Sequence, residues 1–228
     1  MSDTPQTTQD RSVRAVLLDL DGTLIDAFRP IIIALNQTLA DFGLPQMTDD
    51  EVRRHTGNGE CSMTSLFGEQ REAAAARFLE YHDEHLFDVR PMPGAAELLD
   101  WLTVQGVASA IVTSKSQLRA DKQLDFLGWG TKLGAVIGLC EGRRQKPDPH
   151  TVHLACEALN MPVRDCIMVG DGPADIKAAL RAGAVPVGLT HSFTADELSD
   201  AGAAFCFASL SEVQTWLQGL LQHGQAQS

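Results

Sequence analysis

Seven side chains in this sequence fall into a pattern able to do chemistry. In AVLLDLDGTLID, the apolar run of residues 15–18 leads into Asp19, and Asp21 follows two places on. Thr113 and Ser114 close the run SAIV, Lys146 stands in RRQKPDP, and Asp171 follows CIMVG with Asp175 four residues later. Each has an ordinary structural use. Asp19 and Asp21 suit a polar turn, and Asp171 and Asp175 suit the start of a helix opened by Pro173. Asp148 and Pro149 suit another helix start, and Thr113–Ser114 could cap a helix opening at Ser116. Together, four carboxylates and one lysine carry a formal charge of −4 + 1 = −3. Two like charges ~4 Å apart repel by about 4 kcal/mol at an effective dielectric of ~20. Such a cluster calls for a cation, and an oxygen-only ligand set suits Mg²⁺ before Zn²⁺. With the ion bound, an anionic group such as a phosphate is held between metal, Lys146, the strand-end hydroxyl and backbone amides.

Those residues need strands to bring them together. VASAIVTS, GAVIG, CIMVGD, VPVGLT and AFCFAS are short apolar runs, each separated from the next by a segment of helical spacing. The alternation predicts an α/β fold, a doubly wound parallel sheet covered by helices on both faces. In such sheets ligands bind beyond the carboxyl ends of the strands, where all seven residues fall. Residues 27–90 break the alternation: RPIIIALNQTLADFG, TDDEVRRHT and EAAAARFLEYHDEHLF have helical spacing and nothing strand-like lies among them. The sequence therefore predicts a discontinuous core, residues 13–26 and 91–228, interrupted by a helical cap over 27–90. Residues 1–12 read as a disordered tail. The final helix LSEVQTWLQGLL should cover the sheet with Trp216 in its packed face.

Composition narrows the function. The chain has 228 residues, 44% hydrophobic and 21% charged, with formal net charge −12 and pI about 4.9. That balance opposes nucleic acid and an anionic membrane surface as partners. The polar N-terminus lacks an apolar signal segment, and no run approaches a membrane span. Five cysteines without a CxxC pair give no disulfide framework or zinc spacing, and Cys156, Cys166 and Cys206 read as small core residues. A cytoplasmic setting is expected, with the chain a monomer or homodimer.

DLDGTLID, Thr113–Ser114, Lys146 in KPDP and GDGPAD (residues 170–175) resemble the four motifs of the haloacid dehalogenase-like superfamily, over residues 13–221. Within the superfamily the chain resembles the phosphoglycolate phosphatase-type branch, whose small helical cap follows the first strand; the 31 residues between Ser114 and Lys146 are too few for the large cap that other branches carry there. The resemblance implies a Mg²⁺-dependent phosphatase acting on a small phosphate ester. Asp19 would be the nucleophile and Asp21 the acid, then the base. Asp19, the backbone carbonyl of Asp21, and Asp171 would ligate the metal, with Asp175 behind them. Thr113 and the Ser114 amide would hold the phosphate beside Gly22, and Lys146 would neutralise it. Ser114 and Gly172 depart from the Asn and Ser common at those places, at positions that mainly offer backbone contacts.

Other members of the superfamily fit less well. Dehalogenases lack the second acid of DxD. A Schiff-base chemistry needs a cap lysine, and residues 27–90 contain none. Mutase-type members carry a histidine shortly after the first motif, absent from residues 27–33. A phosphomutase or pyrophosphatase of this fold, a phosphate-dependent binding module, and an unrelated receiver domain are the alternatives; the last would lack the helical insert and the DxxxD motif. Selectivity is expected from the cap loop RRHTGNGEC, where Arg53, Arg54 or His55 could meet a substrate carboxylate or hydroxyl and Gly57 and Gly59 allow close backbone approach. The same loop also reads as a helix C-terminus with basic residues on its dipole. His82 and His85 read as a solvated face, as do His150 and His153, and Cys61 has no partner base in view.

Overall fold

Every strand of the main sheet runs parallel to its neighbours, so each must be reached by a crossover, and the helices come from those crossovers. The computed structural model describes residues 13–57 and 62–225. The strands are β1 (Ala15–Leu18), β4 (Ala108–Ser116), β5 (Ala135–Leu139), β6 (Cys166–Gly170), β7 (Val185–Leu189) and β8 (Phe205–Phe207), with β2 (Ile25–Asp26) and β3 (Arg90–Pro91) forming a separate antiparallel pair. The main sheet has the order β5-β4-β1-β6-β7-β8. β1 therefore lies at its centre, registered on β4 and β6.

Central position explains why β1 has no polar residue. Val16 and Leu18 face one layer, packed with Leu98, Leu99 and Leu102 of α5 (Ala95–Gln105) and Leu210, Val213 and Leu217 of α10 (Leu210–Gln225). Ala15 and Leu17 face the other, with α7 (His150–Ala158) and α8 (Pro173–Ala182). A strand buried on both faces reads as a continuous apolar run. Helix α6 (Gln117–Phe126) follows β4 and α9 (Ala195–Asp200) follows β7. Trp216 of α10 packs its ring 4.8 and 5.4 Å from those of Phe205 and Phe207. Cys156 and Cys166 are buried in the core as free thiols, Cys206 is half-buried and Cys140 exposed; Cys61 lies outside the described residues, as does the tail of residues 1–12.

Between β2 and β3 the chain is helical: α1 (Phe28–Asp41), α2 (Asp49–Gly57), α3 (Ser62–Phe67) and α4 (Arg71–Glu84). These share a small apolar core of their own around Ile31, Leu35, Leu39, Val52 and Phe67. The two-residue ribbon β2–β3 ties the chain's exit to its return, through Ile25 opposite Pro91 and Asp26 opposite Arg90. The sequence hid this ribbon, because two residues, one of them proline, offer no alternation to read. No described helix is long and apolar enough to cross a membrane.

Candidate active site

The carboxyl ends of β1, β4 and β6, with the loop after β5, converge on one cavity of about 290 Å³. Asp19, Asp21, Thr113, Ser114, Lys146, Asp171 and Asp175 all line it. Asp19 leaves β1 with its N–H bonded to the carbonyl of Val169 on β6, which fixes its direction (2.9 Å). The next residues make a tight loop in which the N–H groups of Leu24 and Ile25 both bond to the carbonyl of Leu20 (3.0 Å each).

Two glycines make the close approach possible. Gly22 has φ +84°, and a Cβ there would lie 2.3 Å from Oδ2 of Asp171. A Cβ on Gly170 would lie 2.3 Å from Cγ of Asp175. Gly22→Ala is accordingly expected to destabilise the fold by about 1–3 kcal/mol, through positive φ and the displaced carboxylate, and to weaken metal binding; thermal melts with and without Mg²⁺ measure both.

Lys146 is the centre of charge. Its Nζ donates to Oδ1 of Asp19 (2.6 Å), Oδ1 of Asp175 (2.5 Å) and the carbonyl of Val112 (2.9 Å), with the residue only 3% exposed. Asp175 also accepts the Gly172 N–H (3.1 Å), closing the first turn of α8. Asp171 accepts from the Ser192 hydroxyl at 2.5 Å. Burial pushes the Asp19 carboxyl up to about 7, with Lys146 opposing and Asp175 and Asp21 adding. Burial, then Asp19 and Asp175, raise Asp171 well above the carboxylate range. Burial works against the Lys146 charge, but Asp175 and Asp19 outweigh it and raise its pKa.

The arrangement fits a divalent cation. Asp19, Asp171 and Asp175 offer oxygens within 4.8 Å of one another. Both Asp175 oxygens are engaged, by Lys146 and by Gly172, and both Asp19 oxygens, by Lys146 and at 3.5 Å by Thr23, whereas Asp171 accepts on Oδ2 alone, from Ser192. Buried acids with raised pKa and all-oxygen donors suit a hard ion. The Asp21 carboxylate is turned elsewhere: Oδ1 accepts from Lys115 Nζ at 2.6 Å.

Lys115 was not evident in the sequence. It also donates to Oε1 of Gln123 (2.5 Å), whose amide N–H bonds the Leu86 carbonyl on the helical insert's return (2.7 Å). Ser192 and His191, whose Nδ1 lies 2.9 Å from the Gly22 carbonyl oxygen, were missed as well. The strand-end rule, applied to β7 and one residue beyond Ser114, would have found all three.

Arg54 and His55 are not brought to the cavity. Arg54 bonds Glu197 at the start of α9 (2.7 Å) and Asp50 (3.3 Å), so its charge ties the insert to the core. His55 sits 3.2 Å from Ser65 on the exposed side of the insert. Gly59 and Cys61 of that loop lie outside the described residues. His82 is the reverse case. It is 2% exposed rather than solvated, and it lines the cavity with Arg119. His85 pairs with Asp88 (3.2 Å), and His150 accepts the Arg144 N–H (3.2 Å).

Comparisons with known proteins agree with this geometry. The family model for haloacid dehalogenase-like hydrolases matches residues 16–188. The phosphoglycolate phosphatase of Rhodospirillum rubrum is 29% identical over 218 residues, 90% of each chain. Phosphoglycolate phosphatase 1 of Pseudomonas aeruginosa is 33% identical over 195 residues, 80% of this chain and 71% of that one. The crystal structure of a hydrolase from Pseudomonas syringae superposes with a TM-score of 0.80 at 25% identity, covering 90% of this chain and 98% of that one.

Proposed function

The chain belongs to the haloacid dehalogenase-like hydrolases, and from that membership we propose a phosphatase that hydrolyses a small phosphomonoester through a phosphorylated Asp19. The observation that carries the reading is the buried contact of Asp19 with Lys146, beside Asp171 and Asp175, at the end of the central strand. Relatives named as phosphoglycolate phosphatases support the class of reaction.

Asp19 attacks phosphorus as its carboxylate, and the ester P–O bond breaks. Asp21 gives a proton to the departing oxygen; it then takes one from the water that attacks phosphorus and frees Asp19. Lys146 neutralises the phosphoryl oxygens while keeping Asp19 oriented. Thr113 and the Ser114 amide orient the phosphate from the end of β4. Asp19, Asp171 and the backbone carbonyl of Asp21 would hold a Mg²⁺ ion, which would supply the positive charge that lets a dianion enter this acidic pocket. The insert over residues 27–90 acts as the cap that closes the rim against bulk water.

The test is inorganic phosphate release from a panel of phosphate esters. Release that needs Mg²⁺ and falls by about 10²-fold or more with chelator is the expected result. Release from no ester, with the protein folded and Mg²⁺ present, would refute the reading.

A further inference from the structure

The part of the cavity lined by α4 has a property that the reaction at phosphorus does not use. His82 of α4 lines the cavity with its side chain 3% exposed, and its ring makes no hydrogen bond. The nearest acid, Oδ1 of Asp83, lies 4.0 Å from Nδ1 and is already bonded to Arg119. A buried polar group without a partner is costly, and the rest of the cluster is satisfied.

The charges on this wall are also spent. Lys115 is paired with Asp21 at 2.6 Å, and Arg119 grips both oxygens of Asp83 at 2.7 Å. Burial, with Lys115 next, pushes the His82 imidazole down to about 4, so it is neutral near pH 7. Among the described residues that line this wall, a second anion on the substrate would therefore meet no cation without an acid partner, and a carboxylate buried against them would be uncompensated. Beside the imidazole the lining is apolar, from Phe28, Ile31 and Phe78, with the Phe78 ring centred 5.6 Å from that of His82.

Resting on the phosphatase reading, we infer that the preferred substrate is the phosphate ester of a neutral, hydroxyl-bearing alcohol, and that His82 selects it by hydrogen bonding a hydroxyl distant from the phosphate. A hydroxyl suits either tautomer of a neutral imidazole, because it donates and accepts. Its carbon skeleton sits against the apolar lining, as small-molecule sites combine an apolar wall with a few placed polar groups. The class is a polyol or sugar phosphate. It departs from the carboxylated substrate in the names of the relatives.

The experiment compares kcat/KM for glycerol 3-phosphate, an aldose 6-phosphate, 2-phosphoglycolate and phenyl phosphate, in the full chain with Mg²⁺. The wild type should favour a hydroxylated ester over 2-phosphoglycolate by about tenfold or more. In His82→Leu the ratio of kcat/KM on that ester to kcat/KM on phenyl phosphate should fall about tenfold or more, through KM rather than kcat, and His82→Gln should recover part of it. Wild-type preference for 2-phosphoglycolate, or an unmoved ratio in His82→Leu, would overturn the inference while leaving a phosphatase. Loss of release from every ester, phenyl phosphate included, would instead overturn the phosphatase reading.

Discussion

Replacing Asp19 by Asn lowers phosphate release by at least about 10⁴-fold while the fold is kept. The two side chains have the same shape, but the amide cannot attack phosphorus as a carboxylate does. Lys146 retains Asp175 and the Val112 carbonyl as partners, so the packing around it stays satisfied. Stability should move the other way in the metal-free protein. Burial holds the folded Asp19 carboxyl at about 7 against 3.8 ordinarily. Between those values the folded chain binds more protons than the unfolded one. The stability from this group is complete below about pH 4 and is lost as pH rises through about 7. At pH 8 the ionised Asp19 therefore costs on the order of a few kcal/mol, which Asn removes. Melting temperatures from pH 5 to 8 with chelator should fall less steeply in the variant than in the wild type. Added Mg²⁺ should restore the wild type most at the high end.

Removing the cation has the opposite effect on stability. Lys146→Met leaves Asp19 and Asp175 buried without the ammonium that lies 2.6 and 2.5 Å from them. Breaking a buried pair from one side typically costs about 3–5 kcal/mol. The loss is read as a lower midpoint of urea unfolding in chelator. Mg²⁺ should offset part of it, because the ion supplies charge to the same carboxylates. Activity should fall by about 10²–10³-fold or more even when Mg²⁺ is saturating and the protein folded, since the phosphoryl oxygens lose a fixed donor. An equal midpoint in wild type and variant would mean that the lysine does not neutralise the cluster.

The sequence disclosed the strand-end residues of the candidate site better than its α4 wall, for a physical reason. Asp19, Thr113, Lys146 and Asp171 are placed by parallel strands whose apolar runs are continuous, so their common rim follows from the chain alone. Alternation likewise exposed the doubly wound sheet, while the two-residue ribbon at Ile25 and Arg90 had no period to betray it. The α4 wall depends on how helices pack. His82 stands in a stretch rich in charge and alanine, and it reads as solvated until the fold sets it in the wall of the cavity, 2% exposed. Arg54 sits beside the glycines expected to approach the substrate, yet its partner is Glu197, 143 residues away. No local pattern carries that pairing. Lys115 follows a recognised strand end by a single residue, but only the fold shows that its ammonium turns back to Asp21.

The central claim, that Asp19 carries the phosphoryl group, is tested most directly by trapping it. The protein is mixed with a radiolabelled phosphate ester and Mg²⁺, quenched in acid within one turnover and digested. A label on the peptide that contains Asp19, absent in Asp19→Asn and discharged when the quench is delayed, is the predicted result. Multiple-turnover phosphate release with no labelled peptide at any quench time, or undiminished release by Asp19→Asn, would contradict it.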